Sequence, residues 1–426
     1  MTVFDHVTPP PARGARPAHP APGGSRPAVL GGEPAFPEGL PLTVVRVPDS
    51  DAALRRIRGA LDSGQLTNGP LVAELEEAVA ELVGVEHVVA VASCTAGLML
   101  TLQALGARGP VVMPSFSFSA TAHAAAWVGG RPVFAEIEPA SLTLDPADAA
   151  ARLADAADTD GTADGSGALM ATHVYGTPCR VEELEAVAGS AGVPLVYDAA
   201  HALGSRRAGR PVGGFGTAEV FSMSPTKVAV AGEGGLVTTR DAELARTLRI
   251  ARNYGNPGDY DCLFPGLNAR MSELHAAVGL GALPGLPERV AHRGALADAF
   301  AERVAGVPGL RLPRVAPGDV STHKDLTLVL DADAFGLSAR QLAAGLRAEG
   351  VDTRRYFHPP VHRQRAYAHL GQADGLPLTD RLADSVLTVP LWSQMHAGTV
   401  RRIADAVLRL HAHAAEVRAA GVPAAG

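Results

Sequence analysis

Three observations predict an α/β protein, with a large domain on a mainly parallel sheet followed by a smaller α+β domain. Short apolar runs recur along the first part of the chain (HVVAVA, PVVMP, PVFAE, ALMATHV, PLVYD, EVFSM and LVTT), and helical patterns such as TAGLMLTLQAL and VEELEAVAGSAG separate several of them. Runs of that length alternating with helices indicate parallel strands joined by crossover helices. The texture then changes near Leu286, where a long Ala/Leu/Arg helix leads to the strand-like DLTLVLD, the helix SARQLAAGLRAEG and a final helix from about Gly398. The third observation is chemical: Asp198 closes the run VPLVYD, and Lys227 follows the run EVFSM in a glycine-bounded turn.

Taken in order, residues 1–40 are rich in Pro, Ala and Gly without periodicity and read as a flexible leader. Residues 41–285 form the large domain and 286–426 the small one. The helix in PLVAELEEAVAELVG places Leu71, Leu75, Ala78 and Leu82 on one face. Residues 155–168, DAADTDGTADGSGA, are small and acidic and read as an exposed loop.

Composition narrows the function. The 426 residues are 47% hydrophobic and 19% charged, enough for two packed domains. With 37 basic against 44 acidic residues the net charge is −7, which gives no electrostatic reason to expect nucleic acid or an anionic membrane as partner. Cys94, Cys179 and Cys262 have no metal-ligand spacing and cannot all pair, so reduced thiols in a cytoplasmic protein are expected, with no metal. No apolar stretch approaches the length of a membrane span.

Asp198 and Lys227 together suit pyridoxal phosphate (PLP) chemistry. A lysine amine condenses with the cofactor aldehyde, and a carboxylate keeps the pyridine nitrogen protonated so that the ring accepts electrons. Alone, Lys227 would be a solvated charge and Asp198 a helix cap for AAHALG. The strand before Lys227 and the AGEGG after it instead suit an apolar site that backbone can approach closely. His201 lies within reach of the same ring. Ser93, Cys94 and Thr95, between HVVAVA and a helix starting near Ala96, offer free amides and a hydroxyl to a phosphate, although helix capping accounts for the pattern equally well. Ser222 is a second phosphate candidate. Phe118, in PSFSFSATAHA, is placed to lie flat on a cofactor ring. No G-x-G-x-x-G opens the first βα unit, which disfavours a dinucleotide enzyme.

From LTNGP near residue 66 to VLTVPLW near 392 the chain resembles the DegT/DnrJ/EryC1/StrS sugar aminotransferases, PLP enzymes of fold type I. The motifs SCTAGL, PSFSFSATAHA, HVYGTP, YDAAHALGS, FSMSPTK, GEGG, GLNARMSELHAA and RRYFHPPVHRQRAY carry the resemblance, in that order. It implies an aspartate aminotransferase-like fold with a seven-stranded sheet. It implies Lys227 as the cofactor lysine, Asp198 at the pyridine nitrogen, His201 near the ring hydroxyl and Phe118 stacked on the ring. Thr95, Ala96 and Ser222 become phosphate ligands. Asn268, with Arg270 as a second candidate, would reach the neighbouring subunit's phosphate, which implies a homodimer with shared sites. Cys94 replaces the glycine usual in the family's SGT motif, and NYGNPGDYD at residues 253–261 replaces the commoner HG-containing loop beside the substrate.

The implied reaction moves an amino group from L-glutamate or L-glutamine to a nucleotide-linked 4-keto-6-deoxyhexose. A keto-cyclitol is the alternative acceptor, and a PLP-binding regulatory or structural protein without turnover is the rival from another class. Arg354, Arg355, Tyr356, His358 and His362 are candidates to meet the sugar or its diphosphate, against a reading as a solvated basic loop.

Overall fold

The structure, a computed structural model, describes residues 25–160, 167–372 and 374–421. Its centre is a seven-stranded sheet of β1 (His87–Val91), β2 (Pro110–Pro114), β3 (Arg131–Ala135), β4 (Ala168–Thr172), β5 (Leu195–Asp198), β8 (Ala218–Ser222) and β9 (Gly235–Thr239). The intervening β6 (Arg206–Arg207) and β7 (Arg210–Pro211) pair only with each other, as a separate hairpin.

The sheet order is β1-β9-β8-β5-β4-β2-β3. Strands β3, β2, β4, β5 and β8 are parallel, and β9 runs antiparallel to both β8 and β1. Six strands therefore end at one edge. Asp198 sits opposite Thr172 on one neighbour and Val220 on the other, so β4 and β5 end level and β8 runs on to Ser222. Open α/β sheets bind ligands at this edge.

Both faces of the sheet are covered, and the strand sequences show it. In β1, Val88 and Ala90 join one core with Leu75, Leu184 and Phe221, whereas Val89 and Val91 join the other with Leu98, Leu100 and Leu248. Near-continuous apolar runs are what a doubly covered parallel sheet requires.

A second, three-stranded antiparallel sheet contains β10 (Leu310–Arg311), β11 (Leu326–Leu330) and β12 (Val386–Val389). Its core includes Phe300, Leu328, Leu342, Ile403 and Val407. The helix Leu286–Arg303 joins the two parts: Leu286 and Val290 pack in the large core, and Leu296, Ala297 and Phe300 in the small one.

Three expectations are corrected. The first concerns the leader, whose residues 1–24 lie outside the described residues. Residues 25–40 are packed on the small unit. Phe36 is buried in its core, Leu40 bridges to Val351, and the buried Glu349 carboxylate accepts hydrogen bonds from the Ala28 amide at 2.9 Å and the Ala35 amide at 2.8 Å. Arg409 neutralises the same carboxylate.

Secondly, the helix Pro70–Val83 buries Val72, Leu75, Val79 and Val83. Leu71, Ala78 and Leu82 are only partly buried beside them. The true face is turned by about one residue from the expected one, because the apolar positions in LVAELEEAVAELV satisfy two overlapping helical stripes. Thirdly, the helix Pro146–Asp160 takes up the start of the expected acidic loop, and residues 161–166 of that loop lie outside the described residues.

Removing the Glu349 carboxylate leaves Arg409 and two amides without their acceptor, a loss on the order of 3 kcal/mol. Glu349→Ala should therefore lower the thermal midpoint and admit protease within residues 25–40. Unchanged cleavage kinetics would show that this segment does not depend on Glu349.

Candidate active site

The sheet edge explains where the chemistry-bearing residues gather. Asp198 ends β5, buried at 4% exposure. Its Oδ2 accepts a hydrogen bond from the Thr121 hydroxyl at 2.7 Å, and its Oδ1 accepts one from the Ala200 amide at 3.1 Å. Burial raises its pKa above the ordinary aspartate range, while those two donors and the Lys227 charge pull it back. Behind it the rings of His173 and Tyr197 stack 4.7 Å apart, and His173 Nε2 lies 3.1 Å from Glu219, so the wall supporting the strand is rigidly bonded.

Lys227 sits in the turn between β8 and β9, with its amide donating to the Ser224 carbonyl at 3.0 Å. It lines a cavity of about 180 Å³ together with Phe118, His201, Ser224, Thr226, Lys324, Asp325, Tyr356 and Phe357. Burial pushes the Lys227 ammonium below the usual lysine range, and the Lys324 cation adds to this, whereas Asp325, Cys94 and Asp198 oppose it. A lysine held that way supplies the neutral amine that carbonyl condensation and proton transfer require.

The phosphate candidates are also positioned by the sheet. Cys94–Ala104 is a helix at the end of β1, and the Ser93 hydroxyl accepts from the Ala96 amide at 3.1 Å. The first-turn amides of Cys94 and Thr95 have no acceptor within a helix, which leaves them to an anion. Gly235, the last glycine of GEGG, lets β9 pass directly beneath this turn: a Cβ there would stand 2.6 Å from the Cys94 nitrogen. The Cys94 side chain points away from the turn's open end, with Sγ 3.5 Å from the Val220 carbonyl. Its burial raises the thiol pKa well above the usual value. Cysteine in place of glycine therefore fills space behind the turn. Ser222 closes β8, its hydroxyl 3.3 Å from the Ser224 hydroxyl.

His201 faces the cavity with a pKa held well below the ordinary histidine value by burial, then by the Lys227 and Lys324 charges. Its Nδ1 is buried without a hydrogen-bond partner. Phe118, at the N-terminus of the helix Ser119–Trp127, keeps 61% of its surface exposed at the cavity mouth. Asn268 is exposed, bridged through its backbone to Asn253, and Arg270 donates to the Asn253 side chain at 2.7 Å while lying over the Tyr254 ring. Neither Asn268 nor the 253–261 loop lines this cavity.

The basic loop divides. Tyr356 lines the cavity. Arg354, Arg355, His358 and His362 do not, and the partners of three of them show why. Arg354 pairs with Asp352 at 2.9 Å and Arg355 with Asp384 at 2.7 Å. His362 is buried, with Nδ1 2.6 Å from the Ser115 hydroxyl and Nε2 3.1 Å from Asp380, so it fastens the loop to the end of β2. The structure does not bring these three to the lining of this chain's own cavity. Sequence reasoning missed Thr121, Ser224, Thr226, Lys324 and Asp325. The last two stand just before β11, in HKDLTLVLD, where a charged pair entering a buried strand was the available signal.

Residues 49–408 match the model of the DegT/DnrJ/EryC1/StrS aminotransferase family, and the chain belongs to that family. It is an aminotransferase on the fold of PLP-dependent sugar aminotransferases. Among its relatives is dTDP-4-amino-4,6-dideoxy-D-glucose transaminase of Escherichia coli, 30% identical over 87% of this chain and 98% of the relative. Another is dTDP-3-amino-3,4,6-trideoxy-alpha-D-glucose transaminase of Streptomyces venezuelae, 34% identical over 84% of this chain and 91% of the relative. Of solved structures, DesI in the presence of its TDP-sugar product superposes with a TM-score of 0.84 at 39% identity, covering 92% of this chain and 98% of that one. DesV of S. venezuelae, in complex with a ketimine intermediate, gives 0.78 at 31% identity, covering 86% and 99%.

Replacing Lys324 with Met removes the cation that depresses Lys227 and also frees Asp325, which holds it up. Both changes have the same sign. The pH at which Lys227 becomes reactive to reductive methylation, followed by peptide mass spectrometry, should rise in Lys324→Met; a fall would contradict this electrostatic account.

Proposed function

We propose that the chain binds PLP at this cavity and transfers an amino group from L-glutamate or L-glutamine to a nucleotide-linked keto-sugar, a dTDP-type 4-keto-6-deoxyhexose. One observation carries the reading: a buried Asp198 and a half-buried Lys227 are held, electrostatically coupled, at one sheet edge. The unpartnered His201 Nδ1 and the open amides before Ala96 fit the hydroxyl and phosphate of such a cofactor. The dTDP-sugar relatives support the acceptor class. The UDP-sugar aminotransferases among the relatives, one of them 34% identical from Acidithiobacillus ferrooxidans, support a nucleotide sugar over a keto-cyclitol.

When bound, PLP supplies an aldehyde that exchanges amines and a ring that stores the electrons released at the donor carbon. Asp198 is the carboxylate that holds a proton on the ring nitrogen, kept in place by Thr121 and Ala200. Lys227 would bond the cofactor aldehyde and, as a free amine, would be the base that takes the donor's α-proton. Phe118, at the cavity mouth, would cover the ring and limit water. Thr95, Ala96 and Ser222 hold the phosphate end, completed in a cytoplasmic homodimer by Asn268 of the partner subunit. The keto acid leaves before the keto-sugar binds, so the kinetics are ping-pong.

With PLP added, the protein should absorb in the visible, bleach with glutamate or glutamine, and recover its colour with a nucleotide 4-keto-6-deoxyhexose as the aminated sugar appears by mass. Lys227→Ala should show none of the donor-dependent bleaching on the turnover timescale. Colour in the wild type that no amino donor bleaches would favour a binding protein without turnover.

A further inference from the structure

One ion pair in the cavity tunes Lys227 and keeps, beyond that, an acceptor which this role leaves unused. Lys324 Nζ lies 2.7 Å from Asp325 Oδ1, and both side chains are more than nine-tenths buried. The pair lines the same cavity as Lys227, and the second carboxylate oxygen, Asp325 Oδ2, is buried there without a hydrogen-bond partner. A buried acceptor left open in a ligand cavity is expensive unless the ligand supplies the donor.

The charge balance indicates which ligand. The pair is neutral as a unit, so it does not offer a free cation to the carboxylate of an amino donor, and the open Asp325 oxygen would repel that group. A hydroxyl suits both members: its proton goes to Asp325 Oδ2 and its oxygen accepts one of the ammonium hydrogens that Lys324 does not spend on Asp325. Tyr356 lies beside the pair, with Lys324 Nζ 5.9 Å from its ring centre, and Phe357 continues the apolar wall. A polar pair set into an aromatic wall matches a pyranose, which presents hydroxyls at its rim and C–H groups on its face.

We propose that Asp325, braced by Lys324, is the specificity element that reads a ring hydroxyl of the sugar acceptor beside the carbon to be aminated. The inference rests on the sugar-aminotransferase reading of the site. It separates the two substrates of one cavity, since the sugar contacts the pair directly and the amino donor meets it only through Lys227.

The two half-reactions, measured separately in single turnovers, test this. In Asp325→Asn the open acceptor is replaced by an amide that can present a donor. Because Asp325 also raises Lys227, both half-reactions share that change, and the ratio of the sugar-half to the donor-half kcat/KM should fall roughly 30-fold. Calorimetry with the corresponding dTDP-sugar should show a parallel loss of affinity. Asp325→Ser, smaller and neutral, gives the same comparison if the Asn variant does not fold. Equal losses in both half-reactions, or no loss in the sugar half, would overturn the assignment. If wild-type enzyme loaded with PLP accepts no nucleotide keto-sugar, the functional reading itself fails; if it does and the variants keep the wild-type ratio, only this inference fails.

Discussion

A carboxylate withdrawn from water needs compensation, and the placement of Asp198 determines much of what surrounds it. Without partners its burial would favour the neutral acid, which could not hold a proton on a ring nitrogen. Two short-range donors counter that tendency: the Thr121 hydroxyl from the helix that follows β2, and the Ala200 amide from its own chain. The nearby lysine adds a cation. Each donor depends on a different crossover, so the charge at the floor of the site requires β2 and β5 to be assembled in one parallel sheet with their ends at the same edge.

The same constraint acts on Lys227 with the opposite sign. Burial discharges an ammonium as it discharges a carboxylate, so the pair would drift towards mutual neutrality in a fully dry site. Lys324 and Asp325 modulate this from the small unit, one lowering and one raising the lysine. The cavity is thus balanced by four charged groups from two parts of the chain, and its electrostatics depend on how those parts pack. The helix Leu286–Arg303, with residues in both cores, provides that packing.

Local patterns made part of this legible in the sequence. Apolar runs gave the strands, and a carboxylate at a strand end with a lysine before GEGG gave the reaction type. Phe118 and His201 were readable for the same reason, each standing beside a strand exit. What escaped was what long-range contacts decide. Residues 25–40 look like a leader because their composition has no period, yet their amides bond to Glu349, more than three hundred residues away. The charges of Arg354, Arg355 and His362 are visible in a sequence, whereas the neighbours the fold gives them, Asp352, Asp384 and Asp380, are not. Asp325 and Lys324 look like the polar lead-in to a strand until the fold brings them to Lys227.

The central claim is that Lys227, and not the other lysine in the cavity, bonds the cofactor. Borohydride reduction of the PLP-loaded protein, followed by peptide mass spectrometry, reads this directly. The account predicts a stable phosphopyridoxyl adduct on Lys227 with Lys324 unmodified. An adduct on Lys324, or none on Lys227, would contradict it.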